Sequence, residues 1–439
     1  MALGDRGPAV HGPAPGAYAW SLFAIAFALM VINHVDRQVV VSMFPHLKAQ
    51  WNLSDGRLGG LVSVVSIVVA LGSVPLSLLA DRWSRIKSIF LMALLWSAAT
   101  IACGWAGSYG QLLAARGIVG FGEAAFGPAG AALLAGLFPA HMRSTVLGAF
   151  LAAALVGSVL GVVLGGIIAQ RWGWQAGFGV VGMPGIVLAL LFLLIVRDRG
   201  ADPLPGTPGD SRGGTMAASG IVAALLKPRT AIVTCVGAGL QLVTVSTTFA
   251  WLPSYFHRYY GLAADMAGLG TGIVVLVSGV GAVLWSALAD RMSSRFPRAR
   301  LQVPAVAAVL TAIVMCYAFG RMPPGAAQFG LLIAGALMMT ASIGPVAAVV
   351  IDVVHPAVRA TAAAMLSLTQ NLFGLAAGPL VAGVLSDAYG LPFALSVVPL
   401  FCLPAAALFV VAGRSYVSDL ENAETEATAP RRRFGTRAA

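Results

Sequence analysis

Twelve apolar runs, each of about the 20 residues that a helix needs to cross a bilayer, leave this chain of 439 residues little choice of fold. They lie near 18–44, 56–79, 87–107, 110–137, 144–170, 175–196, 228–256, 265–289, 301–320, 326–353, 358–386 and 392–413. Hydrophobic residues make up 59% of the chain and charged ones 10%, against about a quarter charged in soluble domains. In lipid every backbone polar group must be satisfied internally, so each run reads as a helix. The class is an all-α polytopic membrane protein with twelve transmembrane helices in two six-helix bundles. The one long polar connection, 197–227, carries Asp202, Pro203, Pro205, Pro208, Gly209 and Asp210 and divides the helices six and six. The units are therefore an N-terminal segment 1–17, a bundle 18–196, a linker 197–227, a bundle 228–413 and a tail 414–439 that is expected to lack fixed structure. Residues 1–17 are rich in Gly and Pro, and the run that follows them continues into a charged helix, so no cleavable leader is expected.

Basic residues orient the chain. Twenty of the 27 Lys and Arg fall on the side that holds both ends and the linker, and five on the other side (Lys48, Arg57, Arg171, Arg258, Arg321). The remaining two, Arg37 and Arg116, lie inside apolar runs. Both ends are predicted to be cytoplasmic. The net charge of +11 is thus scattered through short loops, which excludes a nucleic-acid partner. Cys103, Cys235, Cys316 and Cys402 lie singly in different runs and read as small core hydrophobes, with no spacing suited to a metal or a cofactor.

The halves repeat. Residues Ser77 to Ser84 (SLLADRWS) return as Ser286 to Ser293 (SALADRMS) after the second helix of each half. Pro139-Ala140 with Arg143 returns as Pro356-Ala357 with Arg359, and Gly157 and Gly161 return as Gly374 and Gly378. Two equivalent bundles in the same orientation, with a ligand held between them near the bilayer midplane, follow the parallel-repeat plan.

Within this apolar frame the stretch Ala115 to Pro128 sets Arg116 and Glu123 in one helix. An ionisable group at that depth is expensive unless it faces a cavity or a partner. Seven residues separate the two, roughly 10 Å along a helix, so each needs a partner elsewhere. The only other charged pair deep in an apolar run is Asp36-Arg37. Neighbours on a helix point about 100° apart, so Asp36 and Arg37 serve different partners. Burial opposes a carboxylate's charge and a nearby arginine favours it, so moving the arginine switches the proton on or off. Asp36 and Glu123 are the candidate proton-coupling residues. Arg37 and Arg116 are the candidates for an anionic head group, which a guanidinium matches in shape. His34 reads as a satisfied core residue. Gly117, Gly120, Gly122 and Gly127 are expected to let a neighbouring backbone approach.

The second half has no charge at the midplane and offers Gln241, Thr244, Ser246, Thr247, Thr248, Tyr255, Gln370 and Asn371. Of these, Gln241, Thr244, Tyr255, Gln370 and Asn371 are candidate substrate-binding residues, so the cavity is expected to be charged on one wall and polar to apolar on the other. Asp81, Arg82, Arg85, Arg143, Asp290 and Arg291, at helix ends on the cytoplasmic side, are candidates for gating. The series Gly157, Gly161, Gly165 is expected to pack against a helix of the other half. Arg431-Arg432-Arg433 reads as a solvated tail.

Over residues 18–413 the chain resembles the major facilitator superfamily, and its first half resembles the spinster-like branch. The resemblance rests on Asp36-Arg37, Ser54-Asp55 with Gly59 and Leu61, Ala80-Asp81-Arg82 with Ser84-Arg85, Trp96-Ser97, the string Ala115 to Ala124, and Phe138-Pro139 with Arg143. Ser77 and Ser286 stand where glycine is usual, and Ala132 and Gly136 where relatives often have a serine and an aspartate. The resemblance implies the major facilitator fold and proton-linked secondary transport. Its implied substrates are amphiphiles of the lysophospholipid or sphingoid-phosphate type. A proton-linked symporter of a small organic anion such as a sugar acid is the alternative, and it needs more polar groups in the second half than the chain offers. No nucleophile, acid–base set or extra soluble domain supports an enzyme. The expected partners are protons, substrate and membrane lipid, with the chain acting as a monomer. Arginine outnumbers lysine 24 to 3, which fits a bacterium of high genomic GC content and an inner-membrane location.

Overall fold

A computed structural model of the chain describes residues 16–83, 85–195, 227–355 and 358–428. Twelve helices in it are long and apolar enough to span a membrane. They are α1 Ala17–Ser42, α2 Asp55–Trp83, α3 Arg85–Gly104, α4 Tyr109–Leu137, α5 Ala140–Trp172, α6 Trp174–Ile195, α7 Arg229–Tyr259, α8 Ala264–Ser293, α9 Ala299–Arg321, α10 Ala326–Asp352, α11 Thr361–Tyr389 and α12 Leu391–Ala423. A short helix, Phe44–Trp51, follows α1. Leu190, Leu194, Val283, Leu284, Val306 and Ile313 are exposed around the outside, as lipid-facing positions are. The cysteines are free; three are buried and Cys316 partly so. The tail departs from expectation: the helix Cys402–Thr428 runs on without a break, so 414–428 is helical. Linker residues 197–226, Pro356-Ala357 and Arg431-Arg432-Arg433 lie outside the described residues.

The repeat reaches the backbone. Among the described residues four have a left-handed φ: Asn52 (49°), Gly173 (80°), Gly261 (67°) and Gly390 (87°). Gly261 follows Asn52 by 209 positions, the interval between Ser77 and Ser286. Gly390 follows Gly173 by 217, the interval between Gly157 and Gly374. Each is a tight turn at the end opposite the linker, where only glycine, or less often asparagine, avoids a steric penalty.

Both α4 and α10 are broken at matching points. The first piece of α4 ends at Glu123 and the second starts at Phe126; in α10 the pieces are Ala326–Met339 and Ile343–Asp352. Gly127-Pro128 and Gly344-Pro345 follow the breaks. A proline has no amide to donate to the carbonyl four residues earlier and its ring crowds that carbonyl, so each helix is interrupted at residues 124–125 and 340–342.

Two seams join the halves, α2 with α11 and α5 with α8. At the first, a side chain at Gly59 would strike the Pro379 backbone and one at Gly383 the Asp55 backbone; at the second, Gly166 lies on the Ala264 backbone and Gly268 on that of Val162. These are repeat pairs, Gly59 with Gly268 and Gly166 with Gly383. The series Gly157, Gly161, Gly165 does not face the other half as expected. It packs on α1, against Val31 and His34, Val35 and Gln38, and Val39 and Ser42. The reason is that α5 meets α8 through its other face, with α8 supplying Gly268, Gly272 and Gly279 for the close approach.

Candidate functional site

The four midplane charges meet as two pairs. Arg116 Nη1 donates to Asp36 Oδ2 at 3.1 Å, and Arg37 Nε to Glu123 Oε2 at 2.7 Å. Adjacent residues on α1 thus reach different levels of α4, as their angular separation requires.

The pairs differ in access. Asp36 and Arg116 are both 1% exposed. Thr100 Oγ1 on α3 donates to Asp36 Oδ1 at 3.0 Å. Arg116 makes longer contacts of 3.4 Å with the Asp36 and Leu61 carbonyls. This cluster ties α1, α2, α3 and α4 together inside the first half. Arg116, expected to hold a head group, is therefore walled off. In the second pair the Glu123 side chain is fully buried while that of Arg37 is 22% exposed. Glu123 Oε1 has no hydrogen-bond partner. Glu123 closes the first piece of α4, immediately before the break.

Packing sets α4 in place. A side chain at Gly120 would strike the Val65 backbone and one at Gly122 the Trp96 backbone, whereas Gly117 has only Val64 nearby and Gly127 open space. Two of the four glycines therefore let a backbone close in. Trp96 fills the space beside them, edge to face with Phe126 across the break at 4.8 Å. His34 Nδ1 is within 3.0 Å of the Met30 carbonyl, a locally satisfied ring as expected.

In the second half most of the polar residues join helices. Thr244 is 1% exposed and sits 3.2 Å from Cys402 Sγ; Tyr255 is 2% exposed, accepts from Gln328 Nε2 at 2.8 Å and stacks on Tyr259. Both were expected on the cavity wall and are instead enclosed between helices, because a hydroxyl buried in an apolar bundle must find a partner there. Ser246 Oγ donates to the Gly374 carbonyl. Gln241 Nε2 donates to the Met339 carbonyl at the break in α10, leaving its buried Oε1 unpartnered. Gln370 and Asn371 open a π-helical turn, Gln370–Ala376, inside α11; such turns often mark functional positions. Both are partly exposed.

The gating candidates are scattered. The side chains of Asp81, Arg82 and Arg85 lie outside the described set. Arg143 Nε donates to the Phe138 carbonyl at the end of α4. Asp290 pairs at 3.3 Å with Arg300, which also holds Asp352 at 2.6 Å, so this network joins α8, α9 and α10 within one half. Arg291 is exposed.

Two features escaped the sequence reading. One is Thr100, whose only signal is its place one turn beyond Trp96-Ser97. The other is a charged cluster at the opposite end, Lys48, Asp55, Arg258 and Asp387, where Lys48 and Arg258 read only as loop charges. Side-chain hydrogen bonds and ion pairs join the halves on that side of the molecule, at residues 55–63, 258 and 376–387.

A family model for the Major Facilitator Superfamily matches residues 26–377. The chain is 29% identical over 380 residues to an MFS-type efflux pump of Mycolicibacterium smegmatis, covering 86% of each. It is 25% identical over 439 aligned residues to the sphingosine-1-phosphate transporter SPNS2 of Mus musculus, covering 90% of this chain and 77% of the relative. Its fold is similar to the crystal structure of a bacterial homolog of the human lysosomal transporter Spinster in an inward-facing, unoccupied conformation, with a TM-score of 0.83, 24% identity and coverage of 92% and 98%. The chain belongs to the Major Facilitator Superfamily, as a transporter of its spinster-like branch.

Proposed function

We propose that the protein is a proton-coupled secondary transporter that moves an amphiphilic anion, of the lysophospholipid or sphingoid-phosphate type, by alternating access. The observation that carries this reading is the Arg37–Glu123 pair, a buried carboxylate whose arginine alone reaches the accessible side. A phosphate that takes the Arg37 guanidinium leaves Glu123 buried without its counter-charge. Such a state is strongly unfavourable unless the carboxylate takes a proton. Conversely, a proton on Glu123 frees Arg37 for the anion. Anion and proton therefore favour one another's binding.

Asp36 is the second proton site, reached when Arg116 moves away from it, and the break beside Glu123 lets the two pieces of α4 move separately. Gln370 and Asn371 face the substrate from the other half. The excess of basic residues on the side of the termini supports a cytoplasmic location for both ends, and the excess of arginine over lysine, 24 to 3, supports a bacterial inner membrane. Joined at the opposite end, the halves then form an inward-facing state. Homology supports the lipid-like substrate, since one relative is a sphingosine-1-phosphate transporter.

Flux in proteoliposomes tests the reading. Labelled lysolipids, sphingoid phosphates and small organic anions are offered with and without a proton gradient. A gradient-driven flux of an amphiphile supports it. Transport of sugar acids alone, or flux indifferent to the gradient, rejects it.

A further inference from the structure

At the end remote from the termini, a carboxylate of one half caps a helix of the other. Asp387 on α11 accepts from the amides of Asp55 and Gly56, the first two residues of α2, each at 2.7 Å. Asp55 is itself 2% exposed. It takes a forked pair of bonds from Arg258 on α7, at 2.7 and 2.8 Å, with Ser386 Oγ at 2.6 Å and Lys48 Nζ at 2.6 Å. The opening amides of a helix lack intrahelical partners and carry the positive end of its dipole, so an anion there is well held. Forked arginine–carboxylate bonds are among the stronger protein hydrogen bonds.

The repeat shows that packing alone does not call for these charges. The seam of α5 with α8 reproduces the same close backbone approach, Gly166 on Ala264 where the first has Gly383 on Asp55. Yet by the repeat intervals Asp387 corresponds to Gln170, and Asp55 to Ala264. The backbone contact is duplicated and the charged contact is not. Parting the halves would not strip Asp55 of every partner, since Lys48 belongs to the same half and stays with it; Asp387 is exposed and Arg258 partly so.

We infer that Asp387 and Asp55, with Arg258, form a releasable latch that holds the two halves shut at the end opposite the termini and sets the balance between the two access states. This rests on the alternating-access reading. The test is the spread of spin–spin distances between labels at Ala49 and Ala388, in reconstituted protein whose four cysteines are replaced. The variants are Asp387→Asn, Asp55→Asn and, as a control at the uncharged seam, Gln170→Ala. The latch predicts that wild type shows a short main distance and a minor long one. Asp387→Asn raises the long population about tenfold or more relative to the short, and Gln170→Ala leaves it unchanged. If wild type samples both distances and Asp387→Asn does not shift them, the latch is wrong and alternating access stands. If wild type keeps one distance with or without a proton gradient and substrate, both fail. Asp55→Asn supports the latch if it shifts in the same sense and opposes it if it does not; trypsin resistance and elution volume confirm folding of each variant.

Discussion

At the residue scale the chemistry turns on which of four charges can be reached. Arg116 and Asp36 are sealed in with Thr100, whereas Arg37 stands at the accessible edge of a fully buried carboxylate. On the proposed reading, a head group therefore competes for Arg37 alone. Arg37→Ala is expected to weaken binding of a phosphate-bearing amphiphile about 100-fold and Arg37→Lys about tenfold, because lysine keeps the charge and loses the planar fork; titration calorimetry on purified protein measures both. While it stays closed, the sealed pair also supports the fold. Thr100→Val leaves a buried carboxylate oxygen without its hydroxyl donor, at a cost of about 1–3 kcal/mol. A lower melting temperature is expected, restored by Thr100→Ser, and an unchanged one would show that Asp36 does not depend on this bond.

At the element scale, contacts that carry no charge set how closely the two bundles meet. The glycines at the seams remove side chains where two backbones touch, twice over by the repeat. Gly383→Ala and Gly166→Ala each set a methyl group against the other half, and strain of this kind costs roughly 1–3 kcal/mol. Both are expected to open the sealed end, read as faster labelling of a cysteine at Ser63 by a membrane-impermeant thiol reagent. Equal labelling in wild type and variants would contradict the seam assignment. The twelve spans, the two-fold division and the pairing of α1 with α4 were all legible in the sequence, because apolar length, angular offset and the cost of a buried charge depend on local spacing. The face that Gly157, Gly161 and Gly165 present was not. A stripe of small residues shows that something packs closely, and the identity of the partner depends on the glycines of α8.

At the scale of the whole molecule, two repeats have kept their backbone and diverged in chemistry. The left-handed turns, the breaks in α4 and α10 and the seam glycines recur in both halves, while buried charge at the midplane belongs to the first half and the interhalf carboxylate cap to one seam. The asymmetry was visible in part, since the second half lacks midplane charge. Thr244 and Tyr255 were misplaced because a lone polar residue in an apolar helix serves a cavity or a neighbouring helix equally well, and only the packing distinguishes them. The cluster of Asp55, Arg258 and Asp387 was hidden because its members lie up to 332 positions apart in the chain.

The central claim is that anion binding at Arg37 and proton binding at Glu123 are one event. It is tested most directly by proton uptake in weakly buffered solution at neutral pH as the amphiphile is added to purified protein, with wild type beside Glu123→Gln. The account predicts that wild type takes up close to one proton per anion bound and Glu123→Gln takes up none while still binding, since a glutamine leaves no charge to neutralise. Binding to wild type with no proton taken up, or the same uptake in Glu123→Gln, would contradict it.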